Sequence, residues 1–389
     1  MPDLPAILGG VPVRSRELPI TRATVSTDAG LHADLAEITA SGSLTNGRHV
    51  SAFEREAAAF LGVEHSVATS SCTSGLMLVL RCLSLRGEVV LPSFTFMASA
   101  HAVAWNGLAP VFVDIDPDTF TLDPAAAAAA ISERTAAIMA VHTFGAPSDM
   151  EALAAVASSH GVPLVADAAH GFGGAYADGM MIGSKGLAEV FSLSPTKLLT
   201  AGEGGLVATN DAELARELRI GREYANPGDY DSRFVGLSAR LPEMSAALAR
   251  HNLPHVPARV VRRRELAERY LKGLAGVGGV GFQRIPSRSR STYKDFCVTI
   301  DEQAFGVDRD GLVKALHSEN IATRTYFDPP VHRHRAYRSD AVLPRTDSLA
   351  SRVVALPLSS HLDDESVDEV CSAIRRVHAH GPAVAALTA

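Results

Sequence analysis

Short, uninterrupted apolar runs separated by longer stretches of helical spacing fill the middle of this chain. The runs fall at 66–69, 89–91, 110–113, 137–141, 164–166, 190–193 and 206–209. Runs without polar alternation read as strands buried on both faces, and most gaps are long enough for a crossover helix. The pattern predicts an α/β fold built on a mainly parallel sheet, with ligands bound beyond the carboxyl ends of the strands. Helical spacing recurs at 30–38, around Phe53, Ala57 and Phe60, and at 212–222. A polar, Gly-rich loop at 224–236 precedes a helix opened by Leu241-Pro242-Glu243-Met244. After Pro254 and Pro257 the pattern changes, with a basic helix at 260–274, strands at 296–300 and 321–324, and helices at 308–319 and 364–378. This predicts a large domain over 1–254 and a smaller α+β domain over 255–389.

Composition narrows the function classes without naming one. The 389 residues are 47% hydrophobic and 20% charged, an ordinary globular balance. A net charge of -7 gives no electrostatic reason to expect nucleic acid or an anionic membrane as partner. Four well-separated cysteines, Cys72, Cys82, Cys297 and Cys371, form no C-x-x-C pair and predict neither a zinc site nor a disulfide framework. Residues 1–10 lack the basic and apolar regions of a signal peptide, and no run approaches the ~18 apolar residues of a membrane span. A cytoplasmic, soluble protein is expected. The stretch Val331-His332-Arg333-His334-Arg335 is a poor metal motif, because its arginines repel a cation and no carboxylate accompanies it. The run Arg259, Arg262, Arg263, Arg264 reads as a solvated helix face balanced by Glu265 and Glu268.

Chemistry concentrates where the strands end. Lys197 follows the 190–193 run and precedes Gly202, Gly204 and Gly205; Asp167 and His170 close the 164–166 run; Thr73 and Ser74 open an apolar helix after the first run. An amine, a strand-end carboxylate and a helix start rich in hydroxyls are the three anchors that pyridoxal phosphate needs. A surface lysine, a helix-capping aspartate and a core histidine are the plain alternatives.

The ordered segments S-L-T-N-G, A-T-S-S-C-T-S-G-L, L-P-S-F-T-F, V-F-V-D-I-D, V-H-T-F-G-A-P-S-D-M, V-A-D-A-A-H, F-S-L-S-P-T-K, G-E-G-G and L-P-L-S-S-H-L resemble the DegT/DnrJ/StrS family of pyridoxal-phosphate aminotransferases, from about Leu44 to Ile374. The resemblance implies the aspartate-aminotransferase-like architecture of fold type I. It implies Lys197 as the Schiff-base lysine, Asp167 as partner of the pyridine nitrogen, and His170 against the ring or its phenolic oxygen. It further implies Thr73, Ser74 and Ser192 on the phosphate and Phe96 stacked on the ring, with ordinary core as the plain alternative for Phe96. Two positions depart from the family pattern. Cys72 replaces a glycine or alanine, and Ser238 replaces the asparagine that reaches the phosphate across a dimer interface; serine can still donate one hydrogen bond but has shorter reach.

The implied activity moves an amino group from L-glutamate to a nucleotide-linked keto-sugar, with the C4 ketone of a dTDP-4-keto-6-deoxyhexose as the expected acceptor. Arg240, Arg324 and Tyr326 are candidate substrate residues, and a homodimer with shared sites is expected. A keto-cyclitol or C3-keto-sugar acceptor and a non-catalytic regulator stay open as alternatives. A dehydratase of the same family is disfavoured, since those enzymes carry histidine in place of the lysine.

Overall fold

The computed structural model describes residues 4–337 and 339–388. The strands are β1 (His65–Thr69), β2 (Glu88–Pro92), β3 (Ala109–Val113), β4 (Thr135–Val141), β5 (Leu164–Asp167), β6 (Ala188–Ser192), β7 (Gly205–Thr209), β8 (Val280–Phe282), β9 (Phe296–Ile300) and β10 (Val353–Leu356). Helices α1 (Ala29–Ser41), α2 (Arg48–Leu61), α3 (Cys72–Cys82), α4 (Ala98–Trp105), α5 (Pro124–Ala130), α6 (Met150–His160) and α7 (Ala212–Gly221) accompany the first seven strands. The remainder are α8 (Glu243–Asn252), α9 (Val256–Gly273), α10 (Glu302–Phe305), α11 (Arg309–Ser318), α12 (Pro344–Arg352), α13 (Asp364–Ala379) and α14 (Gly381–Thr388).

Strands β1 to β7 form one sheet in the order β1-β7-β6-β5-β4-β2-β3. Only β7 runs against its neighbours, pairing antiparallel with β1 and β6; the rest of the sheet is parallel. Each strand splits its side chains between two cores, as the twofold period of a strand requires. Ala68, Val90, Ile138, Ala166 and Phe191 face one core with α2 and α6. Their neighbours Val67, Val89, Met139, Val165 and Val190 face the other with α3, α4 and α7. Apolar runs without alternation were therefore the correct sign of a sheet covered on both faces.

A third core, around β8 to β10, α9, α11 and α13, gathers residues 266–384 and also Leu18. The N-terminal segment thus crosses to the far end of the molecule, where Glu319 accepts the Ala6 and Val13 N–H groups at 2.9 and 2.8 Å. Helix α9 connects the cores: Val256 and Val260 belong to the first, Leu266 and Tyr270 to the third. We retain 1–254 and 255–389 as a proposed division, with α9 as the passage between the two parts.

Two sequence readings need correction. Residues 321–324 form no strand; Ile321 and Arg324 each make a single bridge, to Leu18 and to Ala355. The pairing partner of β9 on that side is instead β10, a buried V-V-A-L run directly after α12. The basic run is not a solvated face either. Arg259 and Arg263 are 6% and 2% exposed, and their guanidinium groups are spent on backbone carbonyls described below, while Arg262 pairs with Glu265 and Asp364. In the His-rich stretch, His332 is buried with Nδ1 2.6 Å from Ser93 Oγ.

Candidate active site

A cavity of about 340 Å³ opens beyond the carboxyl ends of β1, β2, β5 and β6. Its wall includes Thr73, Phe96, Asp167, His170, Ser192, Lys197 and Tyr326 from the sequence reading, together with Ser71, Cys72, Ser194, Glu203, Lys294, Asp295 and Phe327. Residues separated by more than two hundred positions meet here because four parallel strands deliver their ends to one place.

Asp167 ends the fully buried strand β5. Its carboxylate accepts the Ser99 hydroxyl at 2.6 Å and the Ala169 N–H at 3.0 Å, which fix its orientation. Lys197 stands on the turn after β6, where its N–H donates to Ser194 O at 3.0 Å. Gly202 allows the chain to return, with φ of +77°. Burial, and next the like charge of Lys294, push the Lys197 amine down to about 8, against the opposing pull of Asp295, Cys72 and Asp167. His170 is held well below the usual histidine range by burial and by both lysines, so it stays neutral. Burial and then Asp167 push the Cys72 thiol well up; burial and then Asp295 raise Tyr326 to about 12.

The helix start is built by a capping box. Ser71 Oγ accepts the Ser74 N–H and Ser74 Oγ accepts the Ser71 N–H, each at 3.0 Å. A Cβ on Gly205 would lie 2.3 Å from Ser71 O, so only glycine lets β7 pass this close to the cap. Phe96 is 53% exposed at the cavity, while Phe94 is buried in a cluster with Phe120, Phe144 and Phe327.

Four of the expected site residues do not line the cavity. The hydroxyl of Ser74 is turned back to the cap, accepting from the Ser71 N–H and donating to Ser71 O at 2.9 Å. Ser238 is exposed and bridges Glu223. Arg240 pairs with Glu223 at 3.3 Å and lies 5.9 Å from the Tyr224 ring centroid. Arg324 is exposed beside Ala355. Conversely, sequence reasoning passed over Lys294 and Asp295. The available signal was a pair of adjacent opposite charges immediately before the apolar run of β9, where burial is imposed on both.

The donor set fits pyridoxal phosphate: a primary amine of lowered basicity, an oriented buried carboxylate, hydroxyls at a helix start and an open aromatic face all share one cavity. Fold and site together define a pyridoxal-phosphate-dependent enzyme of the α/β class. The chain belongs to the DegT/DnrJ/EryC1/StrS aminotransferase family, whose model matches residues 26–375.

Among relatives, it is 37% identical over 350 residues to the dTDP-3-amino-3,4,6-trideoxy-alpha-D-glucose transaminase of Streptomyces venezuelae, covering 88% of this chain and 90% of that one. It is 36% identical over 335 residues to the UDP-N-acetyl-3-dehydro-alpha-D-glucosamine 3-aminotransferase of Acidithiobacillus ferrooxidans, covering 85% and 89%. The crystal structure of DesI in the presence of its TDP-sugar product superposes with a TM-score of 0.92 at 37% identity, covering 98% of both chains. Among the described residues, no helix is long and apolar enough to cross a membrane.

Proposed function

We propose that this aminotransferase carries an amino group from L-glutamate to the keto group of a nucleotide-linked sugar. The observation that carries the reading is the single cavity shared by Lys197, Asp167, Thr73, Ser192 and Phe96. The bound cofactor supplies the electron sink that makes a carbon acid of the donor's Cα. Lys197 Nζ, neutral above about pH 8, takes the proton from that carbon, and in the second half-reaction delivers one to the former keto carbon of the acceptor. Asp167 holds a proton on the cofactor's ring nitrogen, and the hydroxyls of Thr73 and Ser192 with the α3 start bind its phosphate. Phe96 covers the ring face, and the neutral His170 packs beside it.

Tyr326 lines the acceptor's part of the cavity in this proposal. Ser238 serves the cavity of a partner subunit in a homodimer. Arg240 and Arg324, which lie outside the cavity wall, remain proposed anion contacts.

The acceptor we favour is the C4 ketone of a dTDP-4-keto-6-deoxyhexose; the TDP-sugar product in the superposable DesI crystal supports the nucleotide class. A specific observation favours a second reading, amination at C3, because the names of both relatives above state that carbon. Incubating the enzyme with L-glutamate and a panel of C3-keto and C4-keto nucleotide sugars and a keto-cyclitol, with products read by mass and NMR, separates these. Amination of none of the nucleotide sugars overturns the proposal. In the same assay Lys197→Ala should lose the visible absorbance of covalently held cofactor and at least about 10³-fold in turnover.

A further inference from the structure

A second amine stands in the wall of the cavity. Lys294, 4% exposed, lies just ahead of β9 with Asp295, 6% exposed. Its Nζ is 2.8 and 3.1 Å from the two Asp295 carboxylate oxygens and 5.8 Å from the Tyr326 ring centroid.

The backbones that carry the two amines hang on one helix. On α9, Arg259 Nη1 donates to the carbonyl of Leu198, the residue after Lys197, at 2.8 Å. One turn further, Arg263 Nη1 donates to the carbonyls of Lys294 and Tyr293 at 2.8 and 3.2 Å. Residues four apart share a helix face. A single rigid element therefore fixes the spacing between the loop of Lys197 and the loop of Lys294.

We propose that the Lys294–Asp295 pair is a positioning device that sets the charge state of the Lys197 amine; it rests on the reading of Lys197 as the lysine that holds the cofactor. Two ammonium groups in one poorly hydrated cavity disfavour each other, and a carboxylate in contact offsets that repulsion for the group it touches. Lys294 has that carboxylate. The titratable groups that share the cavity wall with Lys197 are Lys294 and Asp295 ahead of β9, Cys72 at the start of α3, Asp167 at the end of β5, neutral His170, Glu203 after the turn, and Tyr326. Without Lys294, only burial would oppose the carboxylates, and Lys197 would keep its proton to higher pH. Burial and Lys294 act in one direction and Asp295, Cys72 and Asp167 in the other, and the balance falls at about 8.

Only a neutral amine acylates, so the test uses the full-length protein freed of cofactor. It is pulsed with an isotope-coded acylating reagent between about pH 6 and 11, and labelling at Lys197 is read by peptide mass spectrometry. The wild-type midpoint is expected at about 8. Lys294→Met should raise it by about one pH unit, Asp295→Asn should lower it, and Lys294→Arg should restore the wild-type value. A merely structural role moves none of these midpoints in opposite directions. If Lys294→Met does not fold, the downward shift in Asp295→Asn decides alone. Midpoints that do not move, or that move the same way in both variants, overturn the proposal. Whether Lys197 holds the cofactor is decided separately, by borohydride reduction of the holoenzyme and identification of the modified peptide.

Discussion

Lys197 is surrounded by groups that pull its charge in opposite directions, and a consequence for stability follows. Its folded-state pKa of about 8 lies below the ordinary lysine value of 10.5. Between those values the unfolded chain binds the extra proton, so stability rises with pH across that window and is lost again as pH falls through about 8. Relative to Lys197→Met, the cofactor-free wild type should gain up to about 3 kcal/mol from pH 8 to 10.5, read from denaturant melts at each pH. At Asp167 the expected change is catalytic. Asp167→Ala should keep part of its cofactor but lose about 10²- to 10⁴-fold in kcat, and full activity in that variant would remove the ring-nitrogen role. These two residues were legible in the sequence because residue type and position at a strand end are both local facts. Ser74 and Arg240 were less so: a capping box claims the first, and Glu223 with Tyr224 the second. Spacing along a chain does not reveal which side chains are already engaged.

At the scale of elements, the start of α3 and the face of α9 carry the site. Ser71→Ala removes one half of the capping box and should cost about 1 kcal/mol. Gly205→Ala drives a methyl group into Ser71 O, at 2.3 Å, and should cost about 1–3 kcal/mol while weakening cofactor binding by about tenfold or more. Thermal melts and cofactor titration check both; a Gly205→Ala protein with native affinity would show that the cap is not held by this contact. On α9, Arg263→Met leaves the buried Lys294 carbonyl without its donor and should cost about 1–3 kcal/mol. The seven strands of the main sheet were readable because burial on both faces writes itself as an unbroken apolar run. Residues 321–324 have similar letters but polar, exposed Arg324 at the end, and only single bridges hold them. The arginines of α9 misled for the opposite reason. A buried guanidinium is recognised by the carbonyls that face it, and these come from residues 198, 293 and 294.

For the whole molecule, the cavity wall draws Lys197 and Asp167 from the main sheet and Lys294 and Asp295 from the segment that leads into β9 of the third core. A cofactor bound there stabilises only the folded state, so the holoenzyme should exceed the cofactor-free form by about 2.7 kcal/mol when free cofactor is one hundred times Kd. The proposed homodimer should sediment at about 82 kDa, twice the 41.0 kDa chain. Tyr230 and Val235, 98% and 77% exposed on the 224–236 loop, are among the exposed apolar side chains that such an interface would have available, with Trp105 and Val342 elsewhere on the surface. The sequence by itself determined the α/β class, the seven strands of the main sheet along the chain, and the amine and carboxylate at two strand ends, because hydrophobic period and strand-end chemistry are properties of neighbouring residues. Only the tertiary structure decided that α9 ties the loops of Lys197 and Lys294 together, that the N-terminal segment joins the C-terminal core, and that a second lysine lines the cavity of the first. Those contacts join residues far apart in the chain, and burial at such a meeting depends on how the cores pack rather than on any local pattern.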